Sequence, residues 1–392
     1  MRKPTSFVVL AILAAVTLAM SACTGGPGGS PGDADLGLCR PIGDATAPET
    51  PAPDAAEPGS SDLQIGLVTD VGTLDDRNFN QYSWEGALRG ATTIGAPQPQ
   101  NIITTESAEY EANIDSFVSQ GYDIILTVGF ALGAATLAAA EANPDIHFIG
   151  VDQFQPGDDF LAGAGLDNYE SLIFAEAQAG YLAGIVAGSI SESGEVAAIG
   201  GSGTIPPVVN YARGFENGVH SVNEEATVHI TYISDDLAVA FNDPTTGKTF
   251  TDQFRQQNEN VDVIFQVAGK TGNGVLQSVE EGGIYGIGVD VDQWASTPDS
   301  AECIVTSAEK KLTLAVSEGI IAVGDGAPRS GNVVYDAANE GIGLSPYYQF
   351  EDLISDETQA AIDDAFAQMA SGDLDPCQPS GLCYAGEADP GT

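Results

Sequence analysis

Basic side chains are scarce in this sequence. Its 392 residues include 12 Lys plus Arg against 56 Asp plus Glu, which gives a formal net charge of −44 at pH 7. A surface this acidic repels the phosphates of nucleic acids and the anionic headgroups of lipids, so the composition argues against both as partners. The acidic residues are spread along the chain, as expected of a solvated surface, and they do not identify a ligand.

Residue types that bind metals or perform catalysis are also few. The three histidines, His147, His220 and His229, are scattered along the chain, and no cysteine or histidine spacing matches a zinc site. The sequence offers neither the ordering of a Ser-His-Asp triad nor a reactive thiol. We therefore expect no metal, no cofactor and no catalytic residues.

No apolar stretch after the N-terminus is long enough to cross a membrane. Residues 7–20 are apolar, follow Arg2 and Lys3, and lead through small residues to Cys23. This run is shorter than the about 20 residues that a spanning helix needs, but it suits a signal peptide. We expect residues 1–22 to be a lipoprotein signal peptide and Cys23 to carry the lipid, the only anchor at the extracytoplasmic face of the cell membrane. The alternative is a secreted protein in which Cys23 is incidental.

Large apolar side chains are rare in residues 23–61, where Gly, Pro, Ala, Asp, Ser and Thr dominate. Such a segment cannot bury enough apolar surface to offset the entropy lost on folding. We expect it to be a disordered tether, with the folded part of the chain beginning near residue 62.

Cysteine is limited to five residues, of which lipidation of Cys23 leaves four. Outside the membrane these four favour disulfides over metal ligands, and they allow three connectivities. The interpretation we favour pairs Cys377 with Cys383 as a small C-terminal loop, which leaves Cys39 to pair with Cys303.

Short β-branched runs alternate with helical stretches from residue 64 onward. Residues 64–69 and 123–128 have the composition of strands, and residues 79–90 that of a helix. Strands that alternate with helices of 10–15 residues indicate parallel sheets with right-handed crossovers. Because a chain this long exceeds one core, we predict an α/β protein with two lobes, each an open, doubly wound, mainly parallel sheet.

The strand–helix pattern starts a second time near residue 168. We therefore expect lobe 1 to comprise residues 62–167 plus about 291–330. Lobe 2 would comprise residues 168–290 plus about 331–376, and residues 377–392 would form a C-terminal tail.

Polar residues follow several of the predicted strands. The segments 70–80, 268–274 and 288–293 are rich in Asp, Asn and Gly, and Asp152 follows another strand. In open α/β sheets, ligands bind outside the carboxyl ends of the strands. Carboxylates and amides there can bind hydroxyls and ring nitrogens, and Phe79 could stack on a flat group. The sequence predicts a cleft for a small, neutral, flat ligand that carries hydroxyls.

Each of these residues also has a simpler explanation. Asp75 and Asp76 could cap a helix, and the turn containing Gly272 could be tight for structural reasons, although close approach to a ligand is the alternative. Asp290 suits hydroxyl recognition better than cation binding, since too few ligands stand nearby. Lys310 could bind the ligand or pair with a surface carboxylate.

Five segments in order carry a family resemblance. They read IGLVTDVGTLDDRNFNQ (65–81), AGYLAG (179–184), PPVVNYARGF (206–215), AGKTGNGV (268–275) and GVDVDQ (288–293). Together they resemble the basic membrane protein family, the nucleoside-binding lipoproteins of ABC importers. The resemblance implies a type I periplasmic-binding-protein fold, a nucleoside closed between the lobes, and an ABC permease in the membrane as partner.

The resemblance also implies roles for residues of the first lobe. Phe79 would stack on the base, Asp70 and Asn78 would line the pocket, and Asp152 would contact the base. The family places a second aromatic near residue 266, so in this sequence it is Phe265 or is missing.

The resemblance further implies that Asp290 and Lys310 hold the ribose hydroxyls. Two other functions compete with this hypothesis. A type I binding protein for a sugar or another small polar solute needs similar side chains. A nucleoside hydrolase is a further alternative, because residues 70–76 loosely mimic its calcium motif, but several of that motif's ligands are replaced.

Overall fold

The computed structural model describes most of the chain after the predicted signal peptide. Cys23 lies outside the described residues. These are 37–48, 55–155, 165–377, 383–384 and 387–392.

The strands of the described residues form two six-stranded sheets, with the orders β11-β5-β4-β3-β1-β2 and β12-β10-β9-β8-β6-β7. Neighbouring strands are parallel, except that β12 runs antiparallel to β10. The predicted fold class is confirmed. The strands are β1 (Ile65–Thr69), β2 (Gln100–Ile103), β3 (Ile124–Val128), β4 (His147–Val151), β5 (Tyr169–Phe174), β6 (Glu195–Gly200), β7 (Thr227–Tyr232), β8 (Val263–Val267), β9 (Tyr285–Asp290), β10 (Ile304–Lys310), β11 (Gly331–Tyr335) and β12 (Ile342–Leu344).

Helices cover both sheets, so the central strands are buried on both faces and consist almost wholly of apolar residues. In the described ranges, no helix is long and apolar enough to span a bilayer. The helices are α1 (Phe79–Ile94), α2 (Tyr110–Gln120), α3 (Gly133–Ala142), α4 (Glu176–Ile190), α5 (Pro206–Val222), α6 (Leu237–Asn242), α7 (Pro244–Gln257), α8 (Gly269–Gly282), α9 (Gln293–Ser296), α10 (Leu312–Gly324) and α11 (Asp356–Ser371).

Helices α4 and α5 pack with their backbones in contact, because small residues face each other. A Cβ atom at Gly184 of α4 would lie 2.1 Å from the carbonyl oxygen of Phe215. A Cβ atom at Gly218 of α5 would lie 2.0 Å from the carbonyl oxygen of Tyr181. Larger side chains would force the helices apart. This contact fixes the position of α5 relative to the start of α4.

The lobe boundaries predicted from the sequence are partly wrong. Strand β5 belongs to the first sheet, although we expected residues 168–290 in lobe 2. Strand β10 belongs to the second sheet and β11 to the first, the reverse of the expectation for 291–330 and 331–376. The reason is that the chain crosses between the lobes after β5, β10 and β11. The first sheet therefore gains its edge strand β11, and the second its edge strand β12, after the chain has left and returned.

The expected tether, residues 23–61, is also partly wrong. Residues 37–48 are bound to the second lobe, where Leu38 donates a backbone hydrogen bond of 2.7 Å to Gly283, and residues 55–61 are bound to the first, where Gly59 donates to Gly95 at 2.8 Å. Cys39 is buried and forms a disulfide with Cys303. Composition fails here because a covalent bond and backbone hydrogen bonds hold the segment, and its few apolar side chains, such as Leu38 and Ile42, pack against the folded lobe.

The second disulfide joins Cys377 to Cys383, so both pairings are the ones that the sequence favours. The chain then returns to the second sheet, where the amide of Thr392 donates to Ile230 of β7 at 2.9 Å. The predicted C-terminal tail is therefore bound to the second lobe.

Candidate ligand-binding cleft

A cleft lies between the carboxyl ends of the two sheets and is lined by both lobes. It holds about 720 Å³ of space between the atoms, counting its mouth. From the first lobe, it is lined by Asp70, Val71, Asp76, Phe79, Asn80, Gly129, Phe130 and Asp152, and from the second by Ile205, Pro207, Val208, Tyr211, Leu237, Phe241, Val267, Gly269, Lys270, Asp290 and Lys310.

Three aspartates occupy strand ends in this cleft. Asp70 follows β1, Asp152 follows β4, and Asp290 ends β9. Asp152 and Asp290 hold equivalent places in the two sheets, and both have left-handed backbones, with φ of 57° and 64°. Residues other than glycine seldom adopt such values, and this kind of strain concentrates at functional sites. The three aspartates predicted from the sequence therefore meet in one place.

Lys310 ends β10 and is buried among carboxylates. Its Nζ lies 2.5 Å from Asp152 Oδ2, 3.1 Å from Glu176 Oε1 and 3.9 Å from Asp290 Oδ1. Burial alone would lower the pKa of Lys310, but the three carboxylates outweigh this and raise the pKa. The ammonium is therefore charged, and its contact with Asp152 joins the two lobes.

Carboxylates outnumber cations around Lys310. Burial raises the pKa of Asp290 to about 7, although Lys310 opposes the shift. Burial also raises the pKa of Asp70 to about 7, against the lowering effect of a hydrogen bond from the amide of Ala131. This excess of carboxylates favours a ligand that donates hydrogen bonds over one that is anionic.

Two acceptor atoms of the cleft are buried and have no hydrogen-bond partner among the described residues. They are Oδ1 of Asn80 and Oδ1 of Asp152. Buried polar atoms without partners are rare in proteins, so each of these calls for a donor. A ligand that presents N–H or O–H groups would supply one.

Aromatic rings form much of the apolar wall. Phe79 and Phe130 come from the first lobe, and Tyr211 and Phe241 from the second. The Nζ of Lys310 lies 5.5 Å from the ring centroids of both Phe79 and Tyr211. Flat groups gain about 0.5–1.5 kcal/mol from well-placed ring contacts beyond the burial of apolar area. The arrangement thus sets apolar ring faces beside a charged group.

Phe265 does not line this cleft, which corrects the expected second stacking residue. Its side chain is fully buried, with ring centroids 5.9 Å from Tyr211 and 5.3 Å from Phe215. The aromatics of the second lobe at the cleft are Tyr211 and Phe241. Tyr211 lies inside the motif at 206–215, whereas Phe241 lies in the short helix α6 and has no sequence signal.

Asn78 and Gly272 also lie outside the cleft lining. Asn78 is fully buried at the start of α1, and its side-chain atoms Nδ2 and Oδ1 have no hydrogen-bond partner in the described part of the chain. Gly272 packs on Gln266, since a Cβ atom there would lie 1.7 Å from Gln266 Oε1. Its close approach is to the protein.

The two acidic residues after β1 have different roles. Asp76 accepts hydrogen bonds from the amides of Asn78 and Asn80, at 2.8 and 2.9 Å, and so caps α1 as well as facing the cleft. Asp75 is exposed and lies 3.2 Å from Lys270 of the second lobe. The Nζ of Lys270 also donates to Thr73 Oγ1 at 2.9 Å. These polar contacts connect the lobes at the mouth of the cleft.

Comparison with known sequences links this architecture to transport proteins. The family described as "ABC transporter substrate-binding protein PnrA-like" (Bmp) matches residues 64–369. The chain is 28% identical over 334 residues to a "CD4+ T-cell-stimulating antigen" of Listeria monocytogenes, covering 80% of this chain and 88% of that protein. It is 27% identical over 333 residues to the "ABC transporter nucleoside-binding protein BmpA" of Lactococcus lactis, with the same coverage of 80% and 88%.

Solved structures share the two-lobed fold. An ABC transporter solute-binding protein of Aeropyrum pernix superposes with a TM-score of 0.70 at 24% identity, covering 80% of this chain and 92% of that one. One from Conexibacter woesei gives a TM-score of 0.61 at 25% identity, covering 80% and 98%. The type I fold predicted from the sequence is confirmed.

Proposed function

Because the chain belongs to the Bmp family of PnrA-like ABC transporter substrate-binding proteins, we propose that it binds a nucleoside between its lobes and delivers it to a membrane permease. The observation that carries the proposal is the cleft itself, where ring faces of both lobes stand beside Asp152, Lys310 and Asp290. The family gives a small-molecule ligand and a permease as partners. The similarity to the nucleoside-binding protein BmpA of Lactococcus lactis supports a nucleoside as the ligand.

The chemistry of the cleft matches the two parts of a nucleoside. A base would lie against Phe79 or Phe130, and its N–H groups would donate to Oδ1 of Asn80. Ribose hydroxyls would donate to Asp290 and accept from Lys310. A nucleoside is neutral, so it avoids repulsion by the surplus carboxylates, which a phosphorylated ligand would meet.

The proposed mechanism is capture followed by closure. A nucleoside would enter between the separated lobes, and the lobes would rotate about the crossing segments until contacts such as Lys270 with Thr73 form. The closed form would then dock on the permease.

We further propose that Cys23 anchors the protein by lipid at the extracytoplasmic face of the membrane. The basis is the run at 7–20 followed by small residues and Cys23. Cells expressing the wild type and Cys23→Ser would be labelled with a radioactive fatty acid. Label in the wild type alone supports the anchor, and equal labelling contradicts it.

Calorimetric titration with inosine tests the ligand proposal. Inosine should bind and stabilise the protein by about 2.7 kcal/mol at 100 times its dissociation constant, whereas ribose, galactose and arabinose should not. Binding of a sugar without inosine would favour the sugar-binding alternative. Release of free base from inosine would indicate a hydrolase instead.

A further inference from the structure

The chain continues beyond the segment that matches the family. The match ends at residue 369, and the sequence ends at Thr392. The described residues that follow Pro376, which are 377, 383–384 and 387–392, lie on the second lobe, and we name them the C-terminal strap. The disulfide between Cys377 and Cys383 lies within it.

Helix α5 holds the strap through buried polar contacts. The guanidinium of Arg213 donates to both carboxylate oxygens of Asp389 at 2.7 Å, and the side chains of this pair are only 8% and 7% exposed. Farther along the helix, Nδ2 of Asn217 donates to the carbonyl of Pro376 at 2.9 Å. Bidentate pairing of this kind fixes both partners in orientation as well as position.

A third contact leads from the strap toward the ligand cleft. The amide of Tyr384 donates to Oδ1 of Asn210 at 3.2 Å, and Nδ2 of Asn210 donates to Oε2 of Glu176 at 3.3 Å. The other carboxylate oxygen of Glu176 lies 3.1 Å from Nζ of Lys310. Two side chains therefore separate the strap from the ammonium in the cleft.

The geometry of α5 explains how one helix serves both the strap and the cleft. Asn210, Arg213 and Asn217 are spaced three and four residues apart, which places them on one face. Pro207 and Tyr211 lie at other positions of the same helix and line the cleft. The strap also reaches the loop before α5, where the amide of Asp389 donates to Gly203 at 2.8 Å.

We propose that the C-terminal strap positions the ligand-binding wall, and that Asn210 is the positioning residue through which it acts. With the strap in place, the Asn210 amide is oriented by Tyr384 and in turn fixes Glu176. Glu176 then holds Lys310 beside Asp152. Measuring this effect by ligand affinity rests on the proposed nucleoside-binding function.

A double-mutant cycle tests the proposal. The four proteins are the full chain, Asn210→Leu, a chain ending at Pro376, and the combination, each titrated with inosine by calorimetry. Each single change should weaken inosine binding about fivefold, and the combination should be no weaker than the stronger single change, because both break one path. Additive losses, or unchanged affinity in either single variant, would overturn the proposal.

Controls separate positioning from a general loss of stability. Asp389→Asn releases the Arg213 pair without shortening the chain, so it replaces the truncation if the shortened protein does not fold. The double substitution Cys39→Ala with Cys303→Ala should lower the melting temperature yet leave inosine affinity unchanged. If this control weakens inosine binding as much as the truncation does, the strap has no specific role.

Hydrogen exchange keeps the strap testable without a ligand. If the full chain binds no inosine, the nucleoside proposal fails, and the strap is then judged by the amides of residues 208–211. Exchange there should become at least tenfold faster in the chain that ends at Pro376. Equal exchange in the full chain and in the chain that ends at Pro376 would overturn the proposed role of the strap.

Discussion

Lys310 is the buried cation that balances the negative charge of the carboxylates around it. Lys310→Met would leave Asp152, Glu176 and Asp290 buried together without their counter-ion. We expect a loss of about 3–5 kcal/mol in the free energy of unfolding at pH 7 and inosine affinity at least tenfold weaker. The loss should be smaller at pH 5, because a carboxyl such as Asp290, whose pKa is raised to about 7, can take up a proton.

Urea unfolding at both pH values and titration with inosine check this prediction for Lys310. The matched control is Lys311→Met, since Lys311 is 40% exposed and pairs with Glu309. Equal effects of the two substitutions would contradict the role given to Lys310.

Asp70 should make the protein less stable as the pH rises. Burial raises the pKa of Asp70 to about 7 from an ordinary value near 4, so the folded protein binds this proton more tightly than the unfolded chain. The resulting stability is complete below pH 4 and is lost as the pH rises to about 7. Asp70→Asn mimics the protonated group and should raise the free energy of unfolding by about 1–3 kcal/mol at pH 8.

Chemical denaturation at pH 4 and pH 8 measures the Asp70 effect. The gain from Asp70→Asn should be small at pH 4. The exposed Asp75, whose pKa is lowered by Thr73 and Lys270, serves as control, and Asp75→Asn should give no gain at pH 8. A pH-independent effect of Asp70→Asn would show that hydrogen bonding, not titration, is responsible.

Substitution of Phe79 should affect ligand binding, whereas substitution of Phe265 should affect stability. Phe79→Ala removes a ring that faces the cleft and should weaken inosine binding at least tenfold while the fold stays intact. Phe265→Ala removes a fully buried ring and should cost about 3–5 kcal/mol of stability. Calorimetry and urea unfolding on both variants give the two quantities, and unchanged affinity in Phe79→Ala would remove that residue from the site.

At the scale of elements, the sequence predicts the sheets better than it predicts the faces of strands. Alternating strands and helices are local patterns, so the fold class and the strand-end aspartates could be found. Every residue of β8 is buried and each of its faces carries apolar side chains, so the pattern could not show that Phe265 points into the core. Lobe membership of β5, β10 and β11 depends on crossings between lobes, which no local pattern records.

The disulfide between Cys39 and Cys303 should stabilise the second lobe. It links residues 264 positions apart, and disulfides typically contribute about 2–4 kcal/mol. Cys39→Ala with Cys303→Ala should lose about this much in urea unfolding. Protease should then cut within residues 37–48 sooner than in the wild type, and unchanged cutting would mean that noncovalent contacts alone hold the segment.

At the scale of the whole molecule, the net charge of −44 should make stability depend on salt. Like charges destabilise the compact state, and salt shortens the range of their repulsion from about 30 Å at 0.01 M to about 3 Å at 1 M. The melting temperature should rise with NaCl by about 2–4 °C for each kcal/mol of repulsion screened. A melting temperature that does not change with NaCl would show that the acidic residues lie too far apart to repel one another strongly.

The three crossings between the lobes also determine how far the mouth of the cleft moves when the lobes rotate. Lys310 is the last residue before one crossing, and its Nζ lies 5.4 Å from the ring centroid of Phe174, the last residue of β5. The proposed ligand contacts thus lie beside the crossing segments, whereas Lys270 and Thr73 meet at the mouth of the cleft. A small rotation of the lobes about the crossing segments would produce a large displacement at the mouth. Fluorophores attached at positions 73 and 270 would therefore turn the protein into a distance-based reporter of its own occupancy.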